Sequence, residues 1–140
     1  MKIWLAAPLL LLAGCQNYPR DTESTLDRIR AEKTIRVGLI EGKIDAPKVT
    51  DYLEKVSALA RAHPRIETGG AEPLLLRLRQ GDLDLVIGEL AKKTPWSTDV
   101  MVIDPIAERP LGSERVALSP VARNGENRWI MLLEKAAREP

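Results

Sequence analysis

Residues 72–105 form the stretch that most constrains how this chain folds. Leu75 and Leu78 lie three positions apart ahead of Gly81, which predicts one face of a short helix that ends at a glycine cap. Residues 83–87 form a short apolar run rich in β-branched side chains, which is typical of a buried strand. A helix followed directly by a buried strand indicates an α/β unit.

The continuation of this stretch predicts a place for a ligand. Gly88 permits close approach of the backbone at the strand's carboxyl end, residues 89–98 form a polar loop, and residues 100–103 form a second strand. Open α/β sheets bind ligands outside the carboxyl ends of their strands. The loop is therefore the first place to search for a binding site.

The rest of the chain extends the same pattern. Asp45 and Pro47 are typical of a helix start. Strand, helix, strand, helix and strand in succession predict a doubly wound, mostly parallel sheet with right-handed crossovers. The other predicted elements are a helix capped by Thr22 or Ser24 that ends at Arg30, strand 34–40, a helix that ends near Arg61 before Pro64, strand 66–68 after it, strand 114–119, and a last helix from Asn124 or Gly125 to about Arg138.

Residues 1–14 have the pattern of a secretory signal. Lys2 supplies a positive start, residues 3–12 are continuously apolar but too short to span a bilayer, and Ala13 and Gly14 precede Cys15. Cys15 is the only cysteine of the chain, and an exported protein has no intramolecular use for an unpaired thiol. An ordinary signal peptide, or an N-terminal helix with Cys15 as a bystander, is the alternative interpretation.

The residues 12–15, Leu-Ala-Gly-Cys, resemble the bacterial lipobox. The resemblance implies that acyl chains on Cys15 hold the protein on a membrane, and Gln16 implies the outer membrane if the source is a diderm bacterium. Residues 15–22 are then a polar tether, and residues 23–140 form one domain.

A second set of residues carries a resemblance to a known family. They are Leu75, Leu78, Gly81, Leu83, Asp84, Gly88, Thr94-Pro95-Trp96, Asp104-Pro105, Gly125-Glu126-Asn127 and the segment 25–40. In this order the residues resemble the periplasmic solute-binding proteins of the polar amino acid type, in a short lipoprotein form. The resemblance implies a fold like the first lobe of those receptors. Only residues 106–113 intervene where the family crosses into its second lobe, which indicates that the second lobe is absent.

One departure from the family concerns the ligand's carboxylate. In the family, the loop after the strand carries a threonine and an arginine that hold this group. A gapless alignment places Ala91 and Trp96 at the two positions, and an alignment on Thr94-Pro95 places Ser97 at the arginine position. The arginine is missing in both alignments.

The candidate ligand-binding residues all follow predicted strands. Each has a structural alternative: an exposed carboxylate for Glu41, a simple turn at Gly69 and Gly70, and packing under the loop for Trp96. An indole in a polar loop offers stacking area and an N–H donor, which favours the loop cluster. The candidates are Glu41, Gly69, Gly70, Glu72, Glu89, Thr94, Trp96 and Ser97.

Composition and motifs argue against several classes of function. The 21 basic and 20 acidic residues nearly cancel and are dispersed, so no nucleic-acid partner is expected. His63 is the only histidine, and no metal-ligand spacing or glycine-rich phosphate loop is present, so we expect no enzyme, metal or cofactor. Asp82 and Asp84 are interpreted as turn residues at a solvated strand end.

Two hypotheses about function follow. The first is an exported, lipid-anchored protein that captures a small polar metabolite, such as an amino acid, for an ABC transporter or a sensor. The second is an envelope protein–protein interaction module that reuses a receptor lobe and binds no small ligand. A single lobe leaves its ligand partly hydrated, so weak binding is expected unless another protein, or a second copy docked across the carboxyl edge of the sheet, supplies the other wall.

Overall fold

The computed structural model describes residues 20–91 and 93–140. The signal at 1–14, Cys15 and residues 16–19 of the expected tether lie outside the described residues. The described elements, in chain order, are α1 (Thr25–Glu32), β1 (Thr34–Ile40), α2 (Ala46–Ala60), β2 (His63–Gly69), α3 (Ala71–Gln80), β3 (Leu85–Glu89), β4 (Val100–Val102), β5 (Ala107–Leu111), β6 (Glu114–Arg123) and α4 (Asn127–Arg138).

All six strands belong to one sheet, in the order β2-β1-β3-β6-β4, with β5 also paired to β6. β1 pairs in parallel with β2 and β3, whereas β6 pairs antiparallel with β3, β4 and β5. Five strands therefore run in one direction and only β6 opposes them. The predicted single α/β lobe is confirmed, with a sheet whose strands mostly share one direction but whose three pairings with β6 are antiparallel, and the described residues contain no second lobe.

Local signals in the sequence explain the bounds of α2 and α3. The side chain of Asp45 accepts a hydrogen bond from the Lys48 N–H, so it caps α2 as its position before Pro47 predicts. Gly81 ends α3 with φ 85°, a left-handed conformation that favours glycine, and its N–H is bonded to carbonyl groups of the last turn.

β2 is longer than the three residues expected, and Pro64 lies inside it instead of ending the preceding helix. Pro64 can lie inside β2 because of the direction in which the N–H and C=O groups of this strand point. The His63 N–H bonds to the Lys33 carbonyl, and the Gly69 carbonyl accepts from the Glu41 N–H, so alternate residues from 63 to 69 face β1. Pro64 faces outward from this edge strand, where no N–H is needed.

The sequence did not predict β5. Its five residues pair with the first half of β6, with Leu111 opposite Glu114 and a two-residue turn at Gly112 and Ser113. Gly112 has φ 62°, which this tight turn requires. The pairing of β6 with β3 ends at Leu118 and Glu89, so residues 108–111 and 114–117 project as a two-stranded ribbon, the β5–β6 ribbon.

The sheet separates two hydrophobic clusters. Trp129, on α4, is fully buried in the larger cluster together with residues of α1, α2 and the sheet, and its indole N–H donates to the Asp84 carbonyl at 2.7 Å. The smaller cluster lies under α3, around Leu74, Leu75 and Leu78. The interpretation of Trp129 as a core residue agrees with this burial.

The helix caps of α1 and α4 differ from those expected from sequence: Asp21, which precedes α1, bonds to both helices, and Glu126, which precedes α4, bonds to the start of α1. Asp21 accepts hydrogen bonds from the N–H groups of Leu26 and Trp129. The buried Glu126 carboxylate accepts from the N–H groups of Glu23 and Thr25. Neither Ser24 nor the start of α4 has a local side-chain cap. Residues 20–22, expected in the tether, therefore contact the domain.

Asp84 is the clearest correction to the sequence interpretation. Its side chain is buried, not solvated, and only 2% exposed. The carboxylate accepts hydrogen bonds from the guanidinium groups of Arg28 and Arg36, and from the Arg36 backbone N–H at 2.8 Å. The hydrogen bond to Asp84 raises the pKa of Arg36 above its usual value. Asp82 is exposed, as expected.

Candidate functional site

The carboxyl ends of β1 and β3 lie side by side, next to the base of the β5–β6 ribbon. Gly88 makes this approach possible, because a Cβ at this position would lie 2.5 Å from Cδ1 of Ile40 on β1. Glu89, the last residue of β3, lies on the same face of the strand as Leu85 and Ile87 of the larger cluster, because side chains alternate between the two faces. Its side chain therefore points to that face of the sheet, beside the ribbon.

A cavity of about 250 Å³ opens at this edge. Its floor is largely apolar, and it is bounded by the loop after β1 and by the base of the ribbon. Its lining residues are Lys43, Ile44, Asp45, Glu89, Ala107, Glu108, Arg109, Val116 and Leu118.

A bidentate ion pair forms one wall of the cavity. Arg109 on β5 donates from Nε to Oε1 of Glu89 at 2.6 Å and from its terminal nitrogen to Oε2 at 2.7 Å. The two side chains are 32% and 22% exposed, so both remain in contact with solvent. Hydrogen bonding to Glu89 raises the pKa of Arg109 above its usual value, so the guanidinium stays charged.

This pair retains the capacity to bind further groups. A guanidinium carries five N–H donors, of which Glu89 takes two. A carboxylate accepts more than two hydrogen bonds. A small molecule in the cavity would therefore find an anion-binding and a cation-binding group side by side, over an apolar floor.

Of the predicted site residues, only Glu89 lines this cavity. Glu41 is exposed, and its N–H extends the β1–β2 pairing by bonding to the Gly69 carbonyl at 2.9 Å. Gly70 is the N-cap of α3, and Glu72 lies exposed in its first turn. These four residues lie at the expected strand ends but outside the lining of the cavity.

The loop that carries the other predicted residues is a compact turn. The Thr94 hydroxyl accepts from the Trp96 N–H, and the Thr94 carbonyl accepts from the Ser97 N–H. Asn124 fastens the loop by donating to the carbonyls of Ser97 and Thr98. These bonds occupy backbone groups of the loop at Thr94, Trp96, Ser97 and Thr98.

Trp96 packs against the smaller cluster, which is the structural alternative stated for it. The Arg79 guanidinium lies over its ring, 5.4 Å from the centroid, and also approaches Asp99 at 3.7 Å. Thr94 and Ser97 line a different cavity of about 460 Å³, beside β4, together with Ser119 and Asn124. The predicted loop cluster is therefore divided between packing and a second cavity.

Sequence reasoning missed Arg109. It lies in AERPL, a polar, proline-containing segment without strand alternation, and its partner Glu89 is twenty positions earlier. Only an indirect signal could have identified it. Arg109 is a basic residue between the predicted strands 100–103 and 114–119, and the chain lacks the loop arginine expected from the resemblance.

The described part of the chain lacks both a membrane-spanning helix and a metal-binding cluster. Within 20–91 and 93–140, no helix has the length and apolar character needed to cross a bilayer. Over the same residues, no group of three or more His, Cys, Asp or Glu side chains is arranged to hold a metal ion.

Comparison with known sequences shows a distant similarity to a cell division protein. No family model matches the chain. The cell division protein FtsQ of Cereibacter sphaeroides is 25% identical over an alignment 144 positions long, gaps included, which covers 80% of this chain and 44% of FtsQ. The chain thus spans less than half the length of this relative.

Comparison with solved structures decides the fold. Domain 1 of the arginine-binding protein TmArgBP of T. maritima, a point mutant in its arginine-bound form, superposes with a TM-score of 0.66 at 15% identity, over 81% of this chain and 95% of that domain. The fold is that of one periplasmic-binding-protein lobe. The VFT2 domain of BvgS from Bordetella pertussis gives 0.63 at 8% identity, over 86% of this chain and 93% of that one.

Proposed function

We propose that the chain is an exported, membrane-anchored binding protein whose single lobe captures a small amphoteric metabolite, such as an amino acid. The observation that carries this proposal is the Glu89–Arg109 pair in the wall of the cavity. Its position at the carboxyl ends of the strands is where open α/β sheets bind ligands. The pair presents opposite charges to an ammonium and a carboxylate on the same molecule.

Arg109 offers a substitute for the arginine missing from the loop. In the resembled family that arginine holds the ligand's carboxylate, whereas here the cation reaches the cavity from β5. The arginine-bound single domain of TmArgBP supports the idea that one lobe suffices to hold such a ligand. We further propose that the ligand passes to an ABC transporter or a sensor, and that the chain performs no catalysis.

The proposed membrane anchor is the lipid on Cys15, on the outer membrane if the source is a diderm bacterium. Its support is the lipobox-like segment together with a fold shared with periplasmic binding proteins. The mass of the mature chain tests this directly, because lipidation adds acyl chains to a protein that starts at Cys15. Cys15→Ala should leave the protein out of the membrane fraction, and an unmodified cysteine in the mature chain would contradict the anchor.

A matched ligand series tests binding. Thermal unfolding and calorimetry would compare each amino acid with the amine that lacks its carboxylate and with the acid that lacks its amine. A ligand at a hundred times its dissociation constant adds about 2.7 kcal/mol to the free energy of unfolding. We expect the largest shift with the amphoteric member of each series, since it alone engages both Glu89 and Arg109.

Variants locate the site. Arg109→Ala should abolish the shift by amino acids and organic acids, and Glu89→Gln should weaken binding of amines. Arg115→Ala is the matched control, because Arg115 lies on the same ribbon, pairs with Glu108 at 3.0 Å, and does not line the cavity. Equal shifts in Arg109→Ala and Arg115→Ala, or no shift with any series at millimolar concentration, would contradict ligand binding at this cavity.

One observation favours the second hypothesis, a protein-interaction module without a small ligand. Glu89 and Arg109 already satisfy each other, and Leu111 at the end of β5 is 55% exposed. A projecting ribbon with an exposed leucine is a suitable contact for another protein. If the ligand series gives no shift, Leu111→Ser should reduce recovery of a chemically crosslinked envelope partner, whereas Met131→Ser, equally exposed on α4, should not.

A further inference from the structure

The outer edge of β2 is an unpaired strand edge. β2 pairs with β1 on one side and has no described neighbour on the other. Exposed strand edges offer backbone donors and acceptors to another strand. Ile66, at the centre of β2, is 50% exposed although it is a large apolar residue.

The backbone groups of this edge follow from its pairing with β1. Because His63 and Gly69 bond to the β1 side, residues 63, 65, 67 and 69 face inward. Pro64, Ile66 and Thr68 therefore direct their free backbone groups outward. Pro64 lacks an N–H, so the edge offers a short set of hydrogen bonds centred on Ile66.

The sequence of this edge is complementary to itself. When a second copy pairs antiparallel with Ile66 opposite Ile66, Arg65 lies opposite Glu67 of the second copy, and Glu67 lies opposite its Arg65. The two Ile66 residues exchange two hydrogen bonds, and each Thr68 N–H meets a Pro64 carbonyl. Opposite charges directly across such a pair stabilise it.

The two faces of the edge agree with this register. The Glu67 side chain lies on the α3 face, where it forms an ion pair with Arg77. Ile66 lies on the opposite face, in an open groove with Leu53 and Pro64 beside α2. In the pair of copies, the two Ile66 side chains would cover each other's apolar groove while the charged pairs lie on the other face.

We propose that two copies of this chain associate through antiparallel pairing of their β2 edges, with Ile66 on the two-fold axis, so that the sheet continues from one copy into the other. The surface is distinct from the carboxyl edge of the sheet, where a second copy was expected from the sequence. The cavity beside Glu89 and Arg109 remains open in this arrangement.

Cysteine crosslinking in the full chain tests the register. Residues in a hydrogen-bonded antiparallel pair have Cα atoms about 5.5 Å apart, within the range of roughly 4.4–6.8 Å for a disulfide. Ile66→Cys should therefore give a crosslinked dimer on mild oxidation of membranes from expressing cells. Thr68→Cys is the matched control, because the two Thr68 residues are displaced by four positions, roughly 14 Å.

Charge exchange tests the complementarity in the Ile66→Cys background. Arg65→Glu places Glu opposite Glu67 in both copies, and Glu67→Arg does the reverse. Each should reduce the crosslinked fraction at limiting protein roughly tenfold. The double variant restores opposite charges and should restore crosslinking. Arg77→Ala, which removes only the pair within one copy, should leave crosslinking in place.

Several results would overturn the proposal. The first is a crosslinked fraction of Ile66→Cys no higher than that of the unaltered chain, which contains only Cys15. The second is a crosslinked fraction of Thr68→Cys equal to that of Ile66→Cys. The third is a double charge variant whose crosslinked fraction stays as low as those of the single charge variants. Arg65 has no described ion-pair partner in its own chain, so loss of crosslinking in Arg65→Glu, with unchanged urea unfolding and with rescue by Glu67→Arg, assigns the defect to the contact between copies.

Discussion

Asp84→Asn is expected to destabilise the domain more than any other single change at its charged residues. The substitution keeps the shape of the side chain but removes its charge. Arg28 and Arg36 then point their guanidinium groups at a neutral amide, one of whose two polar atoms is itself a donor. The backbone N–H of Arg36, now 2.8 Å from Oδ2, competes for the one remaining acceptor.

The magnitude follows from burial. Removing one partner of a fully buried ion pair costs about 3–5 kcal/mol. Here the carboxylate is 2% exposed, but the arginine side chains are 28% and 32% exposed and keep water contact. We therefore expect the free energy of unfolding to fall by about 2–3 kcal/mol, at or just below the lower limit of that range.

Urea unfolding followed by circular dichroism measures this change. Asp82→Asn is the matched control, because Asp82 is exposed two positions earlier and forms no ion pair in the described residues. It should change the free energy of unfolding by no more than about 0.5 kcal/mol. A loss below about 1 kcal/mol in Asp84→Asn would refute the role of this carboxylate as a buried acceptor for two arginines.

The remaining predictions concern packing, ionisation and the N-terminal contacts. Gly88→Ala should cost roughly 1–3 kcal/mol in urea unfolding, because its Cβ meets three atoms of Ile40 within 2.8 Å. Burial raises the pKa of the Tyr52 hydroxyl, so above a pH of about 10 the unfolded chain loses the hydroxyl proton while the folded chain keeps it. The melting temperature should therefore fall as the pH rises above about 10, and it should fall less in Tyr52→Phe, as measured by thermal unfolding. Glu126→Ala should speed amide exchange at Glu23 and Thr25, as measured by NMR, because both N–H groups lose their acceptor.

Elements with strong local signals were predictable. β1 was predicted with the bounds that it has, since its alternation of Ile35 and Val37 reflects real burial. α2 and α3 were predicted from Asp45 and Gly81, because a cap and a left-handed glycine act within a few residues. In each case the sequence signal and the structural cause lie in the same short segment.

Features that depend on distant partners were not predictable. Asp84 lies in an apolar run, and its partners Arg28 and Arg36 are 56 and 48 positions away. β5 has no strand pattern of its own and exists because the Gly112 turn returns it along β6. The candidate site shares this difficulty: Glu89 was identified at its strand end, but Arg109 lies on that unpredicted strand.

The β5–β6 ribbon links the two differences from the two-lobed receptors that the sequence resembles, which are the missing loop arginine and the missing second lobe. Where those receptors continue into a second lobe, this chain turns back at Gly112. β5, the strand before this turn, carries Arg109, so the segment that stands in place of the second lobe also places a guanidinium group at the cavity. A ligand would be held from one side and stay partly hydrated, which limits binding to roughly micromolar to millimolar dissociation constants, or about −8 to −4 kcal/mol. A nanomolar constant in calorimetry of the isolated chain would contradict one-sided binding, whereas a constant that tightens only with another protein present would indicate that this protein supplies the second wall.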